Sequence, residues 1–225
     1  MRALLVVMAG AAAAHCPAVI GTGLPKAGTR SLAHYMQQAL GYETVKYSGG
    51  LDPLAAGFVL NTHTFYDDYP WYAAPCAFAR TYQNASFVLM ERNCSAWAAS
   101  AIHQLFCRWL RGGCVRDGFN HFERFGYQVT YYHFERLASG LIDDACRSQR
   151  DVCGGDARLV PRFVAACEAH SRLVRDCVPS SRLFAAHLDP SFNRTGLDAL
   201  GPFLGCQYQA SPDESWGVFG QRGVT

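Results

Sequence analysis

The 225-residue chain carries almost no net charge, since 20 Lys and Arg against 18 Asp and Glu leave +2. Such a balance provides no global field to draw the protein onto nucleic acid, and no nucleic-acid partner is expected. Lysine is nearly missing: Lys26 and Lys46 stand against 18 arginines. No two of the ten cysteines form a C-x-x-C pair, so the usual zinc spacings are absent and no metal is expected. After the first residues there is no repeat, low-complexity block, charge run or Pro/Ser-rich linker, so nothing marks a boundary between domains. The apolar run at the N-terminus reaches only to about Gly21 and is interrupted by His15, Cys16 and Pro17, at the low end of the roughly 20 residues that span a bilayer.

What is present is a chain able to bury a core, with 50% hydrophobic and 13% aromatic residues. Ten cysteines exceed ordinary cytosolic use and point to disulfides in an oxidising compartment. Arg2 followed by apolar Ala3 to Ala14, ending in three small alanines, reads as a signal peptide over residues 1–14, which leaves all ten cysteines in the mature chain. Two alternatives stay open: an uncleaved signal anchor, the only route to a membrane partner, or a buried strand over residues 3–9 of a cytosolic protein. The sequons at Asn84, Asn93 and Asn193 agree with secretion, in the Golgi lumen or outside the cell. The close spacings Cys107/Cys114, Cys146/Cys153 and Cys167/Cys177 suggest local disulfide loops.

From residue 16 to 225 the pattern reads as one α/β domain. Short apolar runs at Ala18 to Gly21, Gly57 to Leu60, Phe87 to Met90 and Leu183 to His187 have the length of buried strands. Thr29 to Leu40 places Leu32, Tyr35, Met36, Ala39 and Leu40 on one helical stripe before Gly41. Ser95 to Arg111 repeats the pattern, and a third helix runs from Pro161 to a stop at Pro179. Alternating strands and helices imply a mostly parallel central sheet flanked by helices, with ligands at the carboxyl ends of the strands.

The first strand runs into Gly21-Thr-Gly-Leu-Pro-Lys26-Ala-Gly28-Thr29-Arg30-Ser31, and a helix opens inside that run. Backbone N–H groups in such a loop, with the helix dipole behind them, seat a phosphate or sulfate. Thr29 and Ser31 add hydroxyls and Lys26 a compact charge. A Walker A loop would carry Gly-Lys-Ser/Thr adjacent at its end, whereas here Lys26 precedes Gly28 and Thr29. That order disfavours a P-loop kinase, and the bland alternative is a Gly/Thr turn with no ligand.

The order Lys-x-Gly-Thr opening a helix after an N-terminal strand resembles the 5′-phosphosulfate loop of the sulfotransferase superfamily. The resemblance implies a fold like that of the P-loop-containing nucleoside triphosphate hydrolases. It also implies 3′-phosphoadenosine 5′-phosphosulfate (PAPS) as co-substrate, with Lys26, Ala27, Gly28, Thr29, Arg30 and Ser31 lining its 5′ end. Lys-x-Gly-Thr-Arg is similar to the version in Golgi heparan-type enzymes. A donor with a second phosphate needs a second anion site. The strand end Glu91-Arg92-Asn93, with Ser100 eight residues past Arg92, resembles the family's 3′-phosphate site, with Cys94 where a Pro is usual. The C-terminal run from Glu168 through His170 to Pro179, the strand at Arg182, and Gly196-Leu-x-x-Leu200-x-x-Phe203-Leu-Gly205 look like the closing segment of that fold.

In-line sulfuryl transfer needs a base for the acceptor proton and cations for the leaving phosphate. Lys26 is the expected cation. His63 is the expected base, because Thr62-His63 after a strand resembles the catalytic-His segment of cytosolic enzymes; the Golgi pattern would place a Glu where Asn61 stands. Asp67 or Asp68 is the runner-up and His34 the third choice, while a structural histidine is the plain alternative for His63. A glycan on Asn93 would occupy the second anion site, so Asn84 or Asn193 is expected to carry any sugar. The resulting expectation is a PAPS-dependent sulfotransferase acting on a hydroxyl or amine of a glycan or other secretory-pathway acceptor, small or sparsely charged. Its rival is a non-catalytic disulfide-rich binding protein that retains the fold.

Overall fold

The computed structural model describes residues 16–47, 54, 57–102, 137, 160–188 and 196–206. Five strands, β1 (Val19–Gly21), β2 (Glu43–Tyr47), β3 (Thr64–Tyr69), β4 (Ser86–Arg92) and β5 (Leu183–Leu188), form one sheet in the order β2-β3-β1-β4-β5. Every pairing is parallel. The helices among the described residues include α1 (Thr29–Gln38), α2 (Pro75–Thr81), α3 (Cys94–Ala101), α4 (Val160–Cys177) and α5 (Leu200–Leu204). Parallel neighbours demand crossovers, and those crossovers bring helices over the sheet, which is why β4 is a nearly unbroken apolar run rather than an alternating one.

Successive residues of β1 feed opposite faces. Val19 joins Leu32, Met36, Leu40, Phe65, Val88 and Leu200 under α1 and α5. Ile20 joins Tyr66, Trp71, Phe78, Phe87, Leu89 and Val174 under α2 and α4. Arg182, just ahead of β5, donates to the carbonyls of Ala79, Tyr82 and Gln83, so one guanidinium satisfies the last turn of α2 and the bend that leads to β4. The exposed Asn84 lies in that bend.

Among the described residues, three disulfides join distant parts of the chain: Cys16–Cys206, Cys76–Cys177 and Cys94–Cys167. The expected Cys167/Cys177 loop is therefore not formed, because α4 points these residues at α3 and α2 respectively. Cys107/Cys114 and Cys146/Cys153 lie outside the described residues, as do the first 15 residues and Asn193.

The helix expected from Ser95 is described as far as Ala101, and residues 103–111 are outside the described set. The strand expected over Gly57 to Leu60 is not formed. Gly57 adopts φ 89°, and Phe58 and Leu60 lean on the core as irregular chain. The strand lies further on, at Thr64–Tyr69, and β2 was not anticipated at all. No described helix is long and apolar enough to cross a membrane.

Candidate active site

β1 sits where the strand order reverses, with β3 on one side and β4 on the other. Its carboxyl end is thus the topological switch point at which open α/β sheets bind ligands. The loop Thr22 to Gly28 leaves from that point and turns into α1. Gly28 caps the helix at φ 102°, a left-handed conformation that costs a residue with a Cβ. The first N–H groups of α1, those of Thr29, Arg30 and Ser31, have no helical carbonyl one turn back and stand at the positive end of the helix, the end that favours an anion. Thr29 is buried, Lys26 and Ser31 are half-buried, and Arg30 is exposed. Lys26 itself takes φ 73°.

The second motif comes to the same edge. Arg92 ends β4 one strand away from the loop, and its Nη1 donates to the carbonyl of Lys26 at 3.4 Å. Asn93 caps α3 by accepting the N–H of Ala96 at 3.1 Å, which directs the helix away from the strand end and carries half-buried Ser100 along it. Cys94, where a Pro was usual, is bonded to Cys167 of α4, so the turn is fixed by a disulfide instead of a ring. The backbone of the loop is held by further side chains: Trp97 of α3 donates to the Pro25 carbonyl at 2.8 Å, and His170 of α4 to the Thr22 carbonyl at 2.7 Å. Beside it, Arg175 clasps the buried carboxylate of Glu91 through Nε and Nη2, and His187 approaches the same carboxylate at 3.2 Å.

His63 does not join this group. It precedes β3, so it stands at the amino edge of the sheet, where its N–H donates to the Cys16 carbonyl and its ring lies 4.8 Å from that of Tyr42. The register that pairs Val19 with Phe65 sets His63 level with Pro17 and Asp67 level with Gly21. Four residues of strand, about 13 Å, separate the two levels. The base assigned to His63 from the sequence is therefore corrected: a histidine at the opposite edge cannot take a proton beside Lys26.

The runner-up carboxylates do lie on the loop side. A Cβ on Gly21 would come within 2.6 Å of Asp67 Oδ1, so the missing side chain makes room for a buried carboxylate directly beneath the loop. Asp68 follows, half-buried, with φ 68° and its carbonyl accepting from Trp71 at 3.0 Å. His34 is half-buried on α1. Among the described residues, no group of three or more His, Cys, Asp or Glu is arranged to hold a metal ion.

A sequence model described as a sulfotransferase domain matches residues 58–215, more than two thirds of the chain. The protein belongs to the sulfotransferase domain family. The matched stretch contains β3, Arg92, Ser100 and His170, while the loop at 21–31 precedes it. No curated protein matches the chain. A sulfotransferase moves a sulfuryl group from a donor to an acceptor. Trp97 and His170 were not legible as parts of this site. The available signal was chemical: a buried indole or imidazole N–H must find an acceptor.

Proposed function

We propose that the protein transfers a sulfuryl group from PAPS to a hydroxyl or amine of a glycan or other small, sparsely charged acceptor in the secretory pathway. The observation that carries this reading is the meeting of two anion-binding elements on one sheet edge, where Arg92 touches the carbonyl of Lys26. A donor with phosphate at both ends of one ribose needs two such elements side by side. The loop residues Lys26 to Ser31 take the 5′-phosphosulfate, and Arg92 with Ser100 takes the 3′-phosphate. The three disulfides, which span 190, 101 and 73 residues, favour an oxidising compartment.

Asp68 is the base. It lies on the loop side, and being half-buried it can meet an acceptor, whereas Asp67 is sealed beneath the loop. The acceptor proton passes to the Asp68 carboxylate as the acceptor oxygen or nitrogen bonds to sulfur, and the bond from sulfur to the bridging phosphate oxygen breaks. The electron pair leaves with adenosine 3′,5′-bisphosphate, and the Lys26 ammonium offsets the charge that develops on that oxygen.

The test is transfer from labelled PAPS to a panel of secreted glycans and small hydroxyl compounds, beside calorimetric titration with adenosine 3′,5′-bisphosphate. Bisphosphate binding and label on an acceptor are expected. A chain that binds ATP with Mg²⁺ but not the bisphosphate overturns the reading.

A further inference from the structure

Thr22, the first residue past β1, is fully buried, and both its N–H and its hydroxyl go to the carbonyl of Val88, at 2.8 and 3.2 Å. Its own carbonyl points the other way, to His170 Nε2 at 2.7 Å. A carbonyl only accepts, so Nε2 carries the proton in this contact. His170 is 1% exposed, and water cannot replace it there without opening the fold. Thr22 is thereby held on both sides, and the peptide after it, whose carbonyl His170 holds, sets the direction in which the loop leaves the sheet.

The helix that presents His170 is itself fastened to the same neighbourhood. Cys167, one turn earlier on α4, is bonded to Cys94 beside Arg92. Arg175 holds Glu91, the residue before Arg92, and Cys177 is bonded to Cys76 of α2. A contact from so fixed a helix transmits position, whereas the same contact from a loose loop would follow the Thr22 peptide wherever it went.

We propose that His170 is a positioning residue: its Nε2–H fixes the Thr22 peptide and so presets the phosphosulfate loop for the donor. It acts through the Thr22 backbone rather than on a reacting group. The inference rests on the donor reading above for its purpose, and on the Thr22 contact for its substance.

The experiment compares His170→Gln, whose carboxamide nitrogen reaches as far as Nε2, with His170→Asn, which stops at the position of Nδ1, and with His170→Leu, which cannot donate. In the full chain, amide hydrogen exchange over residues 22–31 and affinity for adenosine 3′,5′-bisphosphate are measured together. Loss of one buried hydrogen bond is expected to speed loop exchange and weaken the bisphosphate by about tenfold in the Leu and Asn variants. The Gln variant is expected to stay near wild type. With saturating donor, kcat should be largely kept while the KM for PAPS rises.

Wild-type exchange and affinity in the Leu variant overturn the proposal. If the Leu variant does not fold, Gln and Asn still decide, and equal behaviour of those two overturns it. A wild-type chain that ignores the bisphosphate while the Leu and Asn loops still exchange faster removes the donor reading and leaves the positioning role standing.

Discussion

The indole N–H of Trp97 donates to the carbonyl of Pro25 across 72 residues of sequence, at 2.8 Å. One side chain from the helix that follows Arg92 thus holds the residue before Lys26, and the two halves of the proposed donor site are coupled by a hydrogen bond rather than by proximity alone. Trp97→Phe keeps a six-membered ring in this fully buried place but removes the donor together with the pyrrole half of the indole, leaving a small cavity. It is expected to weaken adenosine 3′,5′-bisphosphate by about three- to tenfold, with stability lowered by about 1 to 3 kcal/mol; titration calorimetry and denaturant melts check the two numbers.

Lys26→Ala is expected to lower sulfuryl transfer by about 10² to 10³-fold with a smaller effect on bisphosphate affinity, because the ammonium is most valuable when charge develops on the leaving oxygen. Steady-state kinetics with labelled PAPS separates the two. Full turnover in this variant sinks the assignment.

Asp68→Asn and His63→Gln form a matched pair. Asn tolerates the left-handed backbone seen at Asp68, so its substitution isolates the carboxylate, and transfer is expected to fall by about 10² to 10⁴-fold. His63 stands at the far edge of the sheet, and its Gln variant is expected to retain turnover within about twofold. A pH–rate profile that loses its acidic limb in the Asp68 variant would tie that limb to the carboxylate.

The two disulfides anchored on α4 should differ in kind. Removing Cys76–Cys177 or Cys94–Cys167 by paired Cys→Ala substitution is expected to cost about 2 to 4 kcal/mol of stability in each case. Only the loss of Cys94–Cys167 should also weaken bisphosphate binding, since that bond fixes the start of α3 beside Arg92. Equal affinity in both double variants would show that the disulfide is a staple and nothing more.

Tyr42 gives a pH signature. It is 1% exposed, its hydroxyl lies 3.3 Å from Cys206 Sγ, and burial pushes its pKa well above the ordinary 10.0. The unfolded chain therefore releases this proton first, so the contribution of Tyr42 to stability is intact below pH 10 and declines as pH rises beyond it. Urea melts between pH 8 and 11 should show a steeper alkaline loss in wild type than in Tyr42→Phe.

Much of the fold could be read because β1, the loop and α1 carry strong local signals: a short apolar run, glycines at the turn, and an amphipathic stripe. β3 could not. Its sequence, Thr-Phe-Tyr-Asp-Asp-Tyr, ends in carboxylates that a central strand places under the loop, and the apolar run at Gly57 to Leu60 is the more strand-like segment nearby. Taking that run as the strand puts His63 after a strand instead of before one, and in a parallel sheet this exchanges one edge of the molecule for the other. The error over the base and the error over the strand are thus the same error. Disulfide partners were illegible for a related reason, because α4 distributes Cys167 and Cys177 to helices far away in sequence.

The Cys16–Cys206 bond sets a clock on biosynthesis. Its two cysteines are 190 residues apart. At a synthesis rate of about 5 to 20 residues per second, the first thiol waits roughly 10 to 40 s for its partner to be made. During that wait the cysteines between them emerge one after another, each able to capture it. In an oxidising compartment a wrong capture would have to be undone by thiol exchange, and the yield of native protein is then expected to respond to a disulfide isomerase more than to oxidant alone.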